Sequence, residues 1–232
     1  MTRKRLAVLL NQLEGRYQSS VWRGVADVAA ASDADLFLFP GKSPGSTDPD
    51  EVRHTVLYDL VDPALFDGFV MASGVLSNYI GVDGFLEFSR PFREKPLVSI
   101  SLELPGIPSV MIDNASGMRA LAEHCVRYHG YRRIAFVRGP ATNIEAELRY
   151  AAFLEVLAEN GLAADPALVL QGDFTRASGE AALRQLWRAG GRPEIIIFAN
   201  DDMAYAAYAW ARREGIRIPE DVAMAGFDDI EE

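Results

Sequence analysis

Two stretches of the chain end a buried-strand pattern in side chains that can read a polar molecule. Ile195-Ile196-Ile197-Phe198-Ala199 runs directly into Asn200-Asp201-Asp202, and Val222-Ala223-Met224-Ala225-Gly226-Phe227 into Asp228-Asp229. A carboxamide donates and accepts hydrogen bonds while an ionised carboxylate only accepts, so Asn200, Asp201 and Asp228 suit a ligand rich in hydroxyl or amino groups. Ligands of open parallel sheets sit beyond the carboxyl ends of the strands, which directs these three residues to a common pocket. Arg149 adds a planar fork that can donate two parallel hydrogen bonds to a carboxylate or to adjacent hydroxyls. Its competing role is an i,i+4 pair with Glu145 on a solvated helix face.

The other candidates carry their own alternatives. Asn200 and Asp201 both stand where a helix begins, so one is expected to cap free backbone N–H groups and the other to bind. Asp229, next to Asp228, points elsewhere and reads as a turn residue. After the first apolar run, the loop Asn11-Gln12-Leu13-Glu14-Gly15-Arg16-Tyr17-Gln18 enters a helix. Tyr17 and Gln18 combine an aromatic face with a hydrogen-bonding amide, which suits a sugar or a nucleobase, against the alternative of a plain helix-entry loop. Ser73-Gly74, and Ser99 with Ser101, offer hydroxyls or ordinary turns and caps. Phe174 either closes the pocket with its ring or packs in the core.

Elements must hold these residues in place. Short apolar runs at Leu6–Leu10, Leu36–Phe39, Phe69–Ala72, Leu97–Ser101, Val110–Ile112, Ile134–Val137, Leu168–Leu170, Glu194–Ala199 and Val222–Ala225 show little polar alternation. Such runs suit strands covered on both faces. Helical patterns lie between them at Ser20–Ala31, Glu51–Val61, Gly117–Tyr128, Asn143–Asn160, Ser178–Ala189 and Asp201–Glu214. This order predicts an α/β fold of parallel sheets flanked by helices. Gly161 and Gly215 follow helix ends where a left-handed C-terminal cap is expected. Pro40 to Asp50 is too rich in breakers for helix or strand and reads as a mobile loop.

Composition removes several function classes. The 232 residues, 49% of them hydrophobic, provide for one large domain or two lobes. A net charge of -10, from 23 basic and 33 acidic residues, repels a phosphate backbone, so no direct nucleic-acid contact is expected of this segment. The apolar run at Leu6–Leu10 is too short for a signal peptide or a membrane span, which predicts a cytoplasmic chain with no membrane partner. Cys125 cannot form an intrachain disulfide and is assigned to packing. No dinucleotide fingerprint, Walker loop, nucleophile elbow or metal-ligand spacing occurs, and His54, His124 and His129 form no catalytic arrangement. No catalytic residue, cofactor or metal is therefore expected.

Pro108-Ser109-Val110-Met111-Ile112-Asp113-Asn114, then Gly117-Met118, His124, Tyr131-Arg132-Arg133-Ile134-Ala135-Phe136 and Gly139-Pro140, resembles the periplasmic-binding-protein-like effector domain of LacI/GalR-type regulators. Glu147-Leu148-Arg149-Tyr150-Ala151-Ala152-Phe153 is similar to that family's Glu-x-Arg-x-x-Gly-Phe element, with Ala152 in the glycine position. Gly172-Asp173-Phe174, Asn200-Asp201-Asp202-Met203-Ala204 and Gly226-Phe227-Asp228-Asp229 follow in the family's order. The specificity lies in that order, since any one motif is weak.

The resemblance implies two α/β lobes, residues 1–112 and an incomplete 113–232, with an interlobe cleft that closes on a small sugar-like or nucleobase-like ligand. It places ligand contacts at Tyr17, Gln18, Ser73, Arg149, Phe174, Asn200, Asp201 and Asp228. It also implies a homodimer and an attached output domain. The family's helix-turn-helix is missing ahead of Leu6, and the final elements of both lobes are missing after Glu232, so the chain reads as part of a longer protein. His129-Gly130, reversed from the commoner Gly-His, resembles the branch in which the domain feeds a kinase or cyclase. The alternative function is a free solute-binding protein of a membrane transport system, which shares the fold.

Overall fold

The computed structural model describes residues 3–190 and 192–230. They form two compact units, the first ending at Ile112 and the second beginning at Asp113.

In the first unit, β1 (Lys4–Leu10), α1 (Arg16–Ala31), β2 (Ala34–Pro40), α2 (Pro49–His54) and α3 (Val56–Asp59) lead to β3 (Gly68–Met71). They are followed by α4 (Ser73–Leu76), α5 (Gly81–Ser89), β4 (Leu97–Ile100) and β5 (Ser109–Val110). The strands make a parallel sheet in the order β2-β1-β3-β4-β5. Alternate residues of β1 enter different cores: Ala7 and Leu9 join one cluster, Val8 and Leu10 the other. Because side chains alternate across a strand, this is the signature of a sheet covered on both faces, and it explains why β1 is apolar without a break from Leu6 to Leu10.

The second unit runs α6 (Asn114–Glu123), a π-helical turn His124–Tyr128, β6 (Ile134–Arg138), α7 (Ile144–Glu159), β7 (Val169–Gln171) and α8 (Arg176–Arg188). It continues with β8 (Ile195–Phe198), α9 (Asp201–Arg213) and β9 (Ala223–Ala225). Its strands are parallel in the order β7-β6-β8-β9. Every residue of β8 is buried, and Phe136 of β6 stacks on Phe153 of α7 at 4.7 Å. Each such side chain taken from water stabilises the fold by roughly 1.5–3 kcal/mol. Cys125 is buried in this core, and desolvation pushes its thiol up to about 11, consistent with packing.

In both sheets strand order reverses once, between β1 and β3 and between β6 and β8. Those switch points open a crevice at the carboxyl ends of the strands. Residues 11–18, 72–74, 139–143 and 199–202 follow from there.

Several elements differ from the sequence expectation. α1 begins at Arg16 rather than Ser20, because Gly15, with φ 100°, turns the chain into the helix earlier. The helix expected over Glu51–Val61 breaks at Thr55 into α2 and α3. α5 was not expected: Val82, Phe85 and Leu86 have helical spacing, but Gly81 and Gly84 mask it. Residues 40–50 are held rather than loose. Ser43 and Ser46 are buried, Lys42 N–H donates to Asn11 O at 2.8 Å, and the Tyr58 hydroxyl lies 2.7 Å from Lys42 O. Gly161 and Gly215 have φ of 68° and 72°, as their capping role requires. No helix among the described residues is long and apolar enough to cross a membrane.

α8 meets α9 at Gly179, where a Cβ would stand 2.2 Å from the Met203 carbonyl oxygen. Since backbone cannot step aside as a side chain can, Gly179→Ala is expected to lower stability by about 1–3 kcal/mol. Gly24 of α1 has open space around its missing Cβ, so Gly24→Ala should instead add up to about 1 kcal/mol. Urea denaturation of the two variants checks both signs.

Candidate functional site

In the second unit the site grows from the N-terminal ends of α6, α7 and α9 and the turn after β9. Asp113 caps α6 by accepting from Ser116 N–H at 3.0 Å, which sets Asn114 at the first helical position with its side chain buried. Asn143 caps α7 in the same manner, accepting from Ala146 N–H at 2.9 Å. Its first turns then present Glu145 and Arg149 inward, at 7% and 4% exposure.

The solvated pairing considered for Arg149 is therefore not what forms. Its Nε donates to Asn114 Oδ1 at 2.7 Å and its Nη1 to Ala199 O at 2.6 Å, with Asp228 Oδ1 3.3 Å from Nη1. The guanidinium lies 4.0 Å from the Phe227 ring centroid and 5.8 Å from that of Phe174. Asn114 in turn donates from Nδ2 to Glu145 Oε1 at 3.1 Å, so Glu145 meets Arg149 through the amide. A buried cation with carbonyl, amide, carboxylate and aromatic partners is satisfied within the unit.

Asn200 and Asp201 are divided differently from the expected cap and binder. Asn200 Oδ1 accepts from Met203 N–H at 3.1 Å, capping α9, while its Nδ2 donates to Phe174 O at 3.1 Å. That second bond helps hold Phe174, whose φ is 69° and whose ring lies against Gly139. Asp201 Oδ2 accepts from Ile230 N–H at 3.0 Å, and Asp201 N–H donates to Phe227 O at 2.9 Å. Asp201 thereby fastens the turn that carries Asp228. A Cβ on Gly226 would sit 2.0 Å from Asp201 Oδ1, so only glycine permits this fastening. Asp228 and Asp229, at φ of 117° and 55°, form the turn itself.

Asp228 is open to solvent along its backbone, but its side chain is only 21% exposed. Burial pushes its carboxyl up to about 6, against the pull of Arg149 and with Asp201 and Glu145 adding to the rise. Asp201 is also raised, again by burial.

The first unit brings a neutral polar set to its switch point. The Tyr17 hydroxyl lies 2.8 Å from that of Ser101, itself buried with φ 63°. Gln18 is half-buried and sits over Gly15, where a Cβ would stand 2.5 Å from Gln18 Oε1. Ser73 is fully buried; its Oγ lies 3.2 Å from Met71 O and 2.8 Å from Ser99 Oγ. That hydroxyl is committed to the unit's interior, where it holds the start of α4. Among the described residues no group of three or more His, Cys, Asp or Glu could hold a metal ion.

Asn114, Glu145 and Phe227 complete the cluster without having been singled out as contacts. Asn114 and Phe227 both fall inside motifs that carry the family resemblance, and Glu145 has only its helical spacing to Arg149. Nothing local in the sequence marks Asn114 as the amide that links Glu145 to Arg149.

Residues 122–232 match the model of the periplasmic binding protein-like domain. The chain is 27% identical to the HTH-type transcriptional repressor CytR of Escherichia coli K12, over 97% of this chain and 63% of that protein. It is 34% identical to the HTH-type transcriptional regulator CelR of Thermobifida fusca, over 69% of this chain and 54% of CelR. Among solved structures, a LacI family transcriptional regulator from Mycobacterium smegmatis superposes with a TM-score of 0.82 at 26% identity, covering 97% of this chain and 78% of that one.

The chain resembles LacI-family regulators over nearly its whole length. It corresponds to the family's effector-binding domain and spans 63% of the length of CytR. A structure of CelR complexed with cellobiose is also similar, with a TM-score of 0.79 and 26% identity over 98% of this chain and 68% of that one. These relatives are transcriptional regulators.

The raised Asp228 carboxyl makes a testable demand on stability. Folded, it holds its proton up to about 6, whereas unfolded it releases it near the ordinary aspartate value of 3.8. Between those values the folded state binds more protons, so this residue's contribution to stability falls as pH rises from about 4 to 6. Asp228→Asn removes the loss. The variant should gain on the wild type by on the order of 1 kcal/mol as pH rises from 4.5 to 7.5, discounted for the residue's open backbone. Urea midpoints at both pH values measure this, and a difference that does not change with pH would rule out the assignment.

Proposed function

We propose that the chain is the sensing module of a cytoplasmic LacI-type transcription regulator, or of a larger signalling protein, and that it binds a small polar effector at the carboxyl ends of its parallel strands. The observation that carries this reading is the buried Arg149 cluster. A cation desolvated at a sheet's switch point, beside a carboxylate of raised pKa and two aromatic rings, is costly to keep for packing alone. Arg149, Asp228 and Phe174 are the contacts we assign in the second unit, and Tyr17 and Gln18 in the first. Asn200, Asp201 and Ser73 act by positioning them.

The complex of CelR with cellobiose supports a sugar or related metabolite as the effector class. By family relationship the effector is expected to favour a closed arrangement of the two units, and the regulator to act as a homodimer through an attached output domain.

Thermal unfolding against a panel of sugars, polyols, nucleobases and amino acids tests the reading. A ligand at about 100 times its Kd should stabilise the chain by on the order of 2.7 kcal/mol. The shift should shrink in Gln18→Ala and Asp228→Asn, which leave the Arg149 bonds to Asn114 and Ala199 in place. A cooperatively unfolding protein that responds to no compound would overturn the proposal. Small-angle scattering with any hit reads closure.

A further inference from the structure

The charge and geometry around Arg149 restrict which effectors can enter. A phosphate or carboxylate docks on arginine through two neighbouring nitrogens, along either the Nε/Nη2 edge or the Nη1/Nη2 edge. Here Nε is committed to Asn114 Oδ1 at 2.7 Å, and Nη1 to Ala199 O at 2.6 Å with Asp228 beside it. Each edge thus contains one nitrogen already engaged, which leaves Nη2 as the nitrogen without a hydrogen bond among the described residues.

The surrounding charges act in the same direction. Asp228 lies against Arg149, and Asp201 and Glu145 stand close enough to Asp228 to raise its carboxyl, so three carboxylates share the neighbourhood of one guanidinium. Nearby cations do not redress this balance, because Arg176 is paired with Asp202 at 2.9 Å and Arg138 with Glu147. An incoming anion meets net negative charge in a partly desolvated site, whereas a hydroxyl can donate to Asp228 and accept from Nη2.

We propose that the effector is an electrically neutral polyhydroxylated molecule, and that the second-unit site rejects its phosphorylated and carboxylated derivatives. This rests on the sensing role proposed above and narrows it. The discrimination arises from repulsion and from a guanidinium already engaged, not from lack of room.

The test is isothermal calorimetry at pH 7.5 with sugars offered in matched sets: glucose, glucose 6-phosphate and glucuronate; the corresponding galactose and mannose sets; and cellobiose with cellobionate. Within a set that binds, the anionic members should be at least about 100-fold weaker than the neutral sugar. In Asp228→Asn, which removes one repelling carboxylate, that gap should narrow by about tenfold even if overall affinity falls. Equal or tighter binding of the anion would overturn the inference while leaving the sensing role intact. Loss of that binding in Lys42→Ala would trace it to the first unit, where Lys42 Nζ lies 3.4 Å from Gln12 Oε1. Neutral sugars inert throughout, with anions binding in any set, would also refute it. Silence from every compound in the wider panel would instead remove the sensing role on which it depends.

Discussion

A guanidinium cannot shed its charge inside a protein, so burying Arg149 obliges the chain to bring polar partners to it from several directions. They come from segments far apart in sequence: Asn114 opens α6, Ala199 ends β8, and Asp228 and Phe227 follow β9. Removing the Asn114 amide would leave Nε of Arg149 a buried donor unmet, which costs more than the bond itself contributes. The capped helix starts, the parallel register and the turn after β9 are therefore constrained together. A site with so many mutual commitments is organised before any ligand arrives, and preorganisation reduces the ordering cost of binding.

The turn after β9 shows what that organisation costs locally. Asp228 and Asp229 occupy left-handed backbone conformations, and Asp228 and Asp201 are held where burial disfavours their charged forms. Asp201 offsets part of this by accepting backbone N–H from Ile230, an approach open only because residue 226 is glycine. Proteins commonly concentrate such unfavourable terms where function requires a particular geometry. The first unit reaches a comparable place at its own switch point with uncharged groups, the Tyr17–Ser101 pair and the half-buried Gln18. Its polar side chains demand less of the fold, since neutral hydroxyls and amides are less costly to desolvate than ions.

Much of the architecture was legible because its cause is local. Strands buried on both faces must be apolar throughout, which marked β1 and β8, and a left-handed helix exit favours glycine, which marked Gly161 and Gly215. Where local signals conflict, reading failed. The glycines of α5 masked its periodicity, and the breakers of residues 40–50 concealed a loop held by Tyr58 and by Asn11 O.

The residue types of the site, and their places beyond the strand ends, were determined by the sequence alone, because a parallel sheet delivers those positions to one edge. Their partners were decided only by tertiary structure. A surface pair one helical turn apart was the alternative open to Arg149 and Glu145, yet both are buried and are joined through Asn114, 31 residues before Glu145. Asn200 and Asp201 looked like one cap and one binder, yet Asn200 caps α9 while Asp201 anchors a turn 29 residues later. Hydrogen-bond pairing depends on distances between segments that fold apart in sequence, and no local pattern encodes those distances.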